Sequence, residues 1–510
     1  MALPEVEDSL LTAPSDQKYE LQQREHSNYK SFDAYELEKE KHYQQQYGDM
    51  YFLRLTCLKP FVERNAAEAW DGFQVAGETV RKVDRVLDVR QGELCWVSGT
   101  IYMEMPLKPN ILDDIAKDHW SAVPEPLGKY ISPSGEDQMM LEDESGRLRL
   151  TGTPLLNEIL VTGCIIAVMG TENANGDFDV VDIRVPDLPP QPKRWGGLNP
   201  SETEKSEERT QSKTEEDVAM DMHTSGGGKK IAIVSGLGFS GKNSAHFLQL
   251  DLLSEFLLGE ALDPNLQQEA SKISRLIIAG NSISTTAEII SESTTGNGRK
   301  LHKKYGYDSS AYNPAPTAHF DNFLSTILPS IPVTVIPGAS DPANVSMPQQ
   351  PIHSAIFPLA KAYTSNPVSG GESKGHSWFD SVTNPWEGEV EGWKVLGTGG
   401  QNVDDVFKYV ETESRIKIME AMCRWRCCAP TAPDTLWSYP FQDDDPFVLD
   451  SCPHLYIVGS QPKFETTVIE GPEGQMARLI AAPRFEETGE IILVDTDTLE
   501  TSIVKFAVPG

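Results

Sequence analysis

IAIVSGLGFSGKNSAHFLQLDLLSEFLLGE (residues 231–260) sets an apolar run against a glycine-rich loop and then a helix-like stretch. Strand, Gly236-x-Gly238-x-x-Gly241, Lys242 and helix follow in the order of a nucleotide-binding turn. A dinucleotide site also needs an acidic residue about 20 positions on, at the end of the second strand. Here Glu255 and Glu260 fall in or at the end of the helix, and the next strand, 275–279, runs into Asn281. A phosphate-binding P-loop needs Ser or Thr after the lysine to hold Mg²⁺, and Asn243 stands there. Ile491–Asp495 reads as a hairpin strand with a solvated aspartate rather than as the Mg²⁺-side strand. The loop therefore belongs to an α/β domain, but not as a nucleotide cradle.

The same pattern of apolar strand followed by glycine-containing loop recurs downstream. RLIIAGNSIS (275–284), IPVTVIPGASDPAN (331–344), WKVLGTGGQN (393–402) and HLYIVGSQPKF (454–464) each end this way, and helical text such as HFDNFLSTILPSI lies between the first of them. Strand ends converging on loops at one edge make an α/β crevice. The final stretch, MARLIAAPRFEETGEIILVDTDTLETSIVKFAV, alternates and turns at Gly489, which predicts an antiparallel meander. The domain reads as a mixed, two-sheet α/β structure over 229–510.

Upstream, residues 1–30 are polar and a helical segment is expected from Ser31, with an apolar face of Tyr47, Met50, Tyr51, Leu53, Leu55 and Leu58 that Pro60 interrupts. Residues 1–45 are expected as a mobile or helical segment. From about Gly92 four strand-like runs follow, with Ser145-Gly146 and Asn175-Gly176 where hairpin turns would sit. A small barrel of this length, 46–190, is most often an oligonucleotide/oligosaccharide-binding (OB) fold. Residues 191–228, with SETEKSEERTQSKTEEDVAMDM and three glycines, have almost no large apolar side chains and predict an acidic flexible linker.

Charge limits the function. The chain has 510 residues, 44 basic against 76 acidic, for a formal net charge of −32. Residues 46–190 hold 13 basic and 24 acidic residues. Single-strand binding wants a basic groove with stacking aromatics, so the barrel reads as a protein-binding or structural module. Seven cysteines make no disulfide framework, and there is no signal-like or membrane-spanning run, so a soluble intracellular protein is expected, with no membrane partner.

The strand-end series resembles the calcineurin-like metallophosphoesterases, which place Asp-x-His, Gly-Asp, Gly-Asn-His-Asp/Glu and Gly-His-x-His at these ends. Two divalent ions need such carboxylates and imidazoles. In this sequence the corresponding positions hold Ser235 and Leu237, then Asn281, then Ala339, Ser340 and Asp341, then Ser460 and Pro462. One carboxylate cannot hold two metals, so no metal, no cofactor and no catalytic residue is expected. A metal-dependent phosphoesterase built on Asp341 and unusual ligands, or an OB-type single-stranded DNA-binding protein, are the alternatives.

Several longer runs occur in order: YFLRLTCLKPF, MLEDESGRLRLTG, VSGLGFSG, RLIIAGN, PGASDPANVSMPQQPIHSAIFPLA, LGTGGQNVDDVFKY, PTAPDTLWSYPF and CPHLYIVGSQPKFETTVIEGPEGQ, spanning 51–475. Through them the chain resembles the B subunits of the eukaryotic replicative DNA polymerases, of the delta type. The resemblance implies an OB fold followed by an inactive calcineurin-like phosphoesterase domain, and an accessory, non-catalytic role in nuclear DNA replication and repair. It implies as partners the C-terminal metal module of the polymerase delta catalytic subunit, the third subunit of polymerase delta, and the catalytic subunit of the translesion polymerase zeta. Contact with DNA and the sliding clamp would be indirect.

Other residues carry two readings. Cys423, Cys427 and Cys428 in MCRWRCCAP, with lone Cys452, read as ordinary helix cysteines before they read as a metal knuckle; Cys423 and Cys427 would share a face of one helix. Arg424 and Arg426 beside Trp425 fit a basic helix end, or a partner's carboxylates or a DNA strand. Trp378, Trp386 and Trp393 fit a protein interface or a core equally well.

Overall fold

The computed structural model describes residues 24–38, 47–75, 77–109, 128–194, 228–241, 246–260, 264–284, 314–364 and 378–507. Two six-stranded sheets form the centre of the C-terminal part. In the first, Phe379–Ser381, Val333–Ile336, Ile273–Ala279, Lys230–Val234, Glu490–Asp495 and Thr501–Lys505 lie side by side. The first four of these run parallel and the last two antiparallel. The second holds Tyr29–Phe32, Trp386–Val390, Trp393–Thr398, Leu455–Gln461, Met476–Pro483 and Glu465–Glu470.

The strands are apolar on both faces because both faces are covered. Ile231, Ile233, Ile277, Ile336, Val395, Ile457 and Ile480 fill the space between the sheets. Ala232, Val234, Leu276 and Ile278 meet the helices Phe247–Leu258 and Ala315–Ile327 on the outer side of the first sheet. Tyr456, Val458, Leu479 and Ala481 meet Gln401–Tyr409 and Arg415–Arg424 on the outer side of the second. Helix, sheet, sheet and helix thus stack in four layers, which agrees with the two-sheet α/β reading.

The barrel contains Cys95–Glu104, Gln138–Glu142, Arg147–Thr151, Ile165–Glu172 and Asp177–Arg184. The first pairs with the second and, at its other edge, with Ile165–Glu172, so the sheet closes on itself. Arg147–Thr151 pairs parallel with Asp177–Arg184. The expected hairpin at Ser145-Gly146 is present: Glu142 pairs with Arg147, and Asp143 accepts from the Ser145 and Gly146 amides. The one at Asn175-Gly176 also holds, with the Asn173 side chain accepting from the Asn175 amide.

Four expectations change. Tyr29–Phe32 is a strand, not the start of a helix; it pairs antiparallel with Trp386–Val390, and that long-range partner overrides local helical propensity. Residues 39–46 lie outside the described residues, and the helix runs Tyr47–Trp70. Pro60 does not interrupt it. Pro60 and Thr56, whose carbonyl loses its bond, both face solvent, while Leu55, Leu58, Val62, Ala66 and Trp70 are buried. Third, residues 191–194, expected as linker, pack on the two-sheet part: Gln191 exchanges bonds with Met476, and Arg194 donates to the Thr496 carbonyl at 3.0 Å. The rest of it, 195–227, lies outside the described residues. Fourth, the terminal strands do not form one meander. Met476–Pro483 belongs to one sheet and Glu490–Asp495 to the other, because the helical turn Phe485–Thr488 carries the chain across between them.

The barrel and the C-terminal part share one core. Met50, Val97, Leu141 and Ile166 pack in the same cluster as Met422, Cys428, Phe447 and Tyr456. At its centre the buried guanidinium of Arg54 holds Asp445 at 2.8 Å and donates to the carbonyls of Pro430 and Ala432. Burial opposes the charge, but Asp445 outweighs it and holds the guanidinium firmly protonated. Asp445→Ala is expected to destabilise the protein by about 3–5 kcal/mol, because it leaves a buried charge without its partner. Urea titration followed by hydrogen exchange in both halves checks this; a barrel that melts separately in the unsubstituted chain would refute the shared core.

Candidate functional site

The first sheet's parallel strands and two of the second sheet's end at one edge, and their loops meet there. The lysine and asparagine of the opening loop, Lys242 and Asn243, lie outside the described residues. Gly236 and Gly238, which the nucleotide reading would aim at phosphate, pack instead against Arg484 and Glu486.

Ser235 and Ser460 join the two sheets. The Ser235 hydroxyl donates to the Ala279 carbonyl at 2.5 Å and accepts from the Ser460 amide at 2.7 Å. Asn281 donates from Nδ2 to the Ser460 hydroxyl at 2.8 Å, and its Oδ1 accepts from the Ser340 amide and hydroxyl at 3.0 and 3.1 Å. All four strand-end loops are thereby stitched together by neutral groups. Leu237 is fully buried in the core under the outer helices. Ala339 and Pro462 are exposed on the rim and bring no polar side chain to it.

Asp341 is turned inward. Its carboxylate accepts the Gly338 amide at 2.7 Å and the Ile283 amide at 3.0 Å, so it staples two loops. Burial pushes its carboxyl up to about 6, although the backbone amides around it pull the other way. A carboxylate engaged by its own backbone has its lone pairs occupied.

Sequence reasoning missed a second network behind these loops. Asn384 donates from Nδ2 to Gln349 Oε1 and Gln401 Oε1, each at 2.9 Å, and accepts the Gly399 amide at 3.0 Å. Gln401 donates to Gln349 at 2.8 Å, and Gln349 donates to the carbonyls of Asn344 and Gly338. Side-chain amides supply both donor and acceptor, so they satisfy one another without an ion. Gly459 brings the sheets into contact here: a Cβ on it would overlap the Ala279 carbonyl.

The donor set does not fit the two divalent ions of a phosphoesterase. The predicted positions offer hydroxyls, an amide, apolar side chains and one internally bonded carboxylate, whereas hard cations in such centres want several carboxylates and imidazoles. Among the described residues no three His, Cys, Asp or Glu side chains come together as a metal-binding set.

The cysteines lie elsewhere. The helix ends at Arg424, and Arg426 has φ of 53°, so Cys423 and Cys427 do not share a helix face as expected. Both are buried, and burial raises both thiols, Cys427 to about 11, which opposes the thiolate a metal would need. Arg424 pairs with Glu420 and Asp187, and Arg426 donates to the Asp187 and Leu188 carbonyls. These two arginines hold the exit from the barrel rather than an outside carboxylate. Trp386 is fully buried and donates to Ser31; Trp378 donates to the Leu328 carbonyl and Trp393 to that of Thr496. All three indoles therefore serve internal contacts. No helix among the described residues is long and apolar enough to cross a membrane.

Comparison with known proteins adds what the geometry cannot. A family model described as the DNA polymerase delta subunit OB-fold domain matches residues 46–183, and one for the DNA polymerase alpha/epsilon B subunit matches residues 231–466. The DNA polymerase delta small subunit of Arabidopsis thaliana is 35% identical over 96% of this chain and 97% of its own length. That of Saccharomyces cerevisiae is 35% identical over 92% of this chain and 91% of its own length. The DNA polymerase delta subunit 2 of Drosophila melanogaster is 31% identical over 91% of this chain and 94% of its own length.

The burial of Asp341 sets a pH test. A carboxyl raised in the folded state stabilises fully below its unfolded value, and that contribution is lost as pH rises through about 6. The stability advantage of the natural chain over Asp341→Asn is therefore expected to be about 2 kcal/mol greater at pH 4.5 than at pH 7.5. Denaturation at the two pH values measures it, and an unchanged advantage would mean that Asp341 stays ionised in the fold.

Proposed function

The chain belongs to the DNA polymerase delta small-subunit family, and from that premise we propose that it is a non-catalytic scaffold subunit of DNA polymerase delta. The observation that carries this reading is the agreement with named small subunits along nearly the whole chain, through both the barrel and the two-sheet domain. The strand-end crevice supports it from the other direction. Its loops are joined by Ser235, Asn281 and Ser460, and the carboxylate of Asp341 holds backbone. We read the C-terminal domain as a phosphoesterase-like fold whose metal site has become a structural joint.

In this role the chain works in the nucleus, in replication and repair. It bridges the C-terminal metal module of the catalytic subunit and the third subunit, and serves polymerase zeta in the same way. An acidic surface suits this division of labour, since phosphate backbones are repelled and DNA and the clamp are reached through partners. Domain limits of 46–190 for the barrel and 229–510 for the phosphoesterase-like part belong to the same proposal.

Co-expression of the full chain with the other polymerase delta subunits of its own organism tests this. The tagged chain is expected to retain the catalytic subunit through size-exclusion chromatography, and alone to leave bis(p-nitrophenyl) phosphate uncleaved in Mn²⁺. Failure to retain it, or hydrolysis above a buffer control, refutes the scaffold reading.

A further inference from the structure

Residues 24–38 precede the barrel in sequence but belong to the sandwich in space. Tyr29–Phe32 forms the edge strand of the second sheet, in register with Val390 to Glu387. The ladder is extended beyond the strand by the Glu391 amide, which donates to the Asn28 carbonyl, and by the Asn28 amide, which donates to Glu391 Oε1. Backbone pairing of this kind supplies affinity, and pockets for individual side chains supply specificity.

Three such pockets are built along the path. Arg24 donates to the carbonyls of Leu257 and Ile273 at 2.7 Å each. Leu257 lies in the last turn of its helix, where carbonyls lack intrahelical partners. Tyr29 stacks on Trp386, lies 3.6 Å under the buried guanidinium of Arg275, and donates its hydroxyl to Asp380 at 2.6 Å. Tyr35 is buried beyond the other sheet, against Cys428 and Phe447. The segment thus reaches from an outer helix of one sheet to the core beneath the other.

The acceptor strand is shaped for a neighbour. At Gly388 a Cβ would stand 2.8 Å from the Lys30 carbonyl and would overlap the Trp386 ring, so only glycine admits a strand this close. Trp386 and Val390 are buried on the face that Tyr29 covers, while Glu387 and Glu389 point away. An uncovered edge with this pattern would invite pairing with another chain.

We propose that the edge Trp386–Val390, with Arg275, Asp380 and the Leu257 and Ile273 carbonyls, is a strand-acceptor site for an extended peptide carrying arginine five residues before tyrosine. Residues 24–38 fill it in cis. The occupant locks the two sheets together from outside, and the site opens only when that segment leaves.

The test uses the full chain with Arg24→Ala and Tyr29→Ser, which weakens the internal occupant, and a fluorescein-labelled synthetic peptide of residues 24–38. By anisotropy the peptide is expected to bind the variant at least about tenfold more tightly than the natural chain, whose site is filled. Adding Gly388→Val is expected to abolish that binding. A concentration-dependent dimer of the variant that the free peptide dissolves also supports the site, with a second copy's segment in it. Equal binding to variant and natural chain, or binding indifferent to Gly388→Val, overturns the proposal. Should the double variant not fold, Tyr29→Phe removes the hydroxyl and its bond to Asp380 while keeping the ring. Amide exchange at 387–390 is then expected to quicken about tenfold, with the barrel strand 165–172 unchanged; unchanged exchange at 387–390 overturns the proposal.

Discussion

The arrangement of the two halves depends on one buried charge. Arg54 projects from the helix packed on the barrel, yet its hydrogen-bond partners, Asp445 and the Pro430 and Ala432 carbonyls, all come from the C-terminal part. A guanidinium taken out of water is costly unless such partners are in place. In the observed placement Asp445 and two carbonyls of the C-terminal part meet this charge, so it acts as a registration mark between the halves. The same helix presents Leu55, Leu58, Val62, Ala66 and Trp70 to Trp96, Ile165 and Met169 of the barrel. It therefore belongs to both sides. Arg424 and Arg426 hold the chain where it leaves the barrel at Asp187 and Leu188, and Tyr35 anchors the segment before the barrel in the shared core. The barrel is tied to the sandwich before it begins, along its helix, and where it ends.

That rigidity extends into the strand-end crevice. In a phosphoesterase the loops at these ends are kept apart by ions and open to a substrate. Here hydroxyls and amides bridge them, and the close approach at Gly459 leaves the sheets in direct contact. Neutral groups that satisfy one another do not depend on an ion for their geometry, and they carry no desolvated charge that would have to be balanced. The crevice is thus held by connectivity between the sheets.

What was legible in the sequence was local. Ser145-Gly146 and Asn175-Gly176 specify hairpins through their own turn chemistry, and the apolar runs ending in glycine mark strands whose faces are both covered. That Ser235, Leu237 and Ser460 are neither carboxylate nor imidazole could be read directly, because it depends on residue identity alone. What was hidden required a distant partner. Tyr29–Phe32 becomes a strand only because Trp386–Val390, far along the chain, has an open edge. Alternation in 476–505 identified strands correctly but could not assign them to different sheets. Arg54 looked like any cation on an amphipathic helix, and Arg275 like one charge in an apolar strand; only burial distinguishes them. A run of polar amides such as Gln349, Asn384 and Gln401 likewise has no sequence signature until folding brings its members together.

The arginines bonded within the chain also bear on the charge that a chain of net charge −32 presents. Arg24, Arg54, Arg275, Arg424 and Arg426 all bind carbonyls, hydroxyls or carboxylates of the chain itself. Cations committed to internal contacts are not free to neutralise phosphates, and Glu142, Asp321, Asp341, Asp405 and Asp445 are buried as Arg54, Arg275 and Arg426 are, so burial leaves the acidic balance of the composition in place. Binding a nucleic acid backbone depends on releasing counterions from phosphates by bringing up free cations. Basic protein surfaces face no such obstacle, and for them the same negative field hastens association. The arginines that fix the halves together are therefore not among the free cations that a phosphate backbone would need.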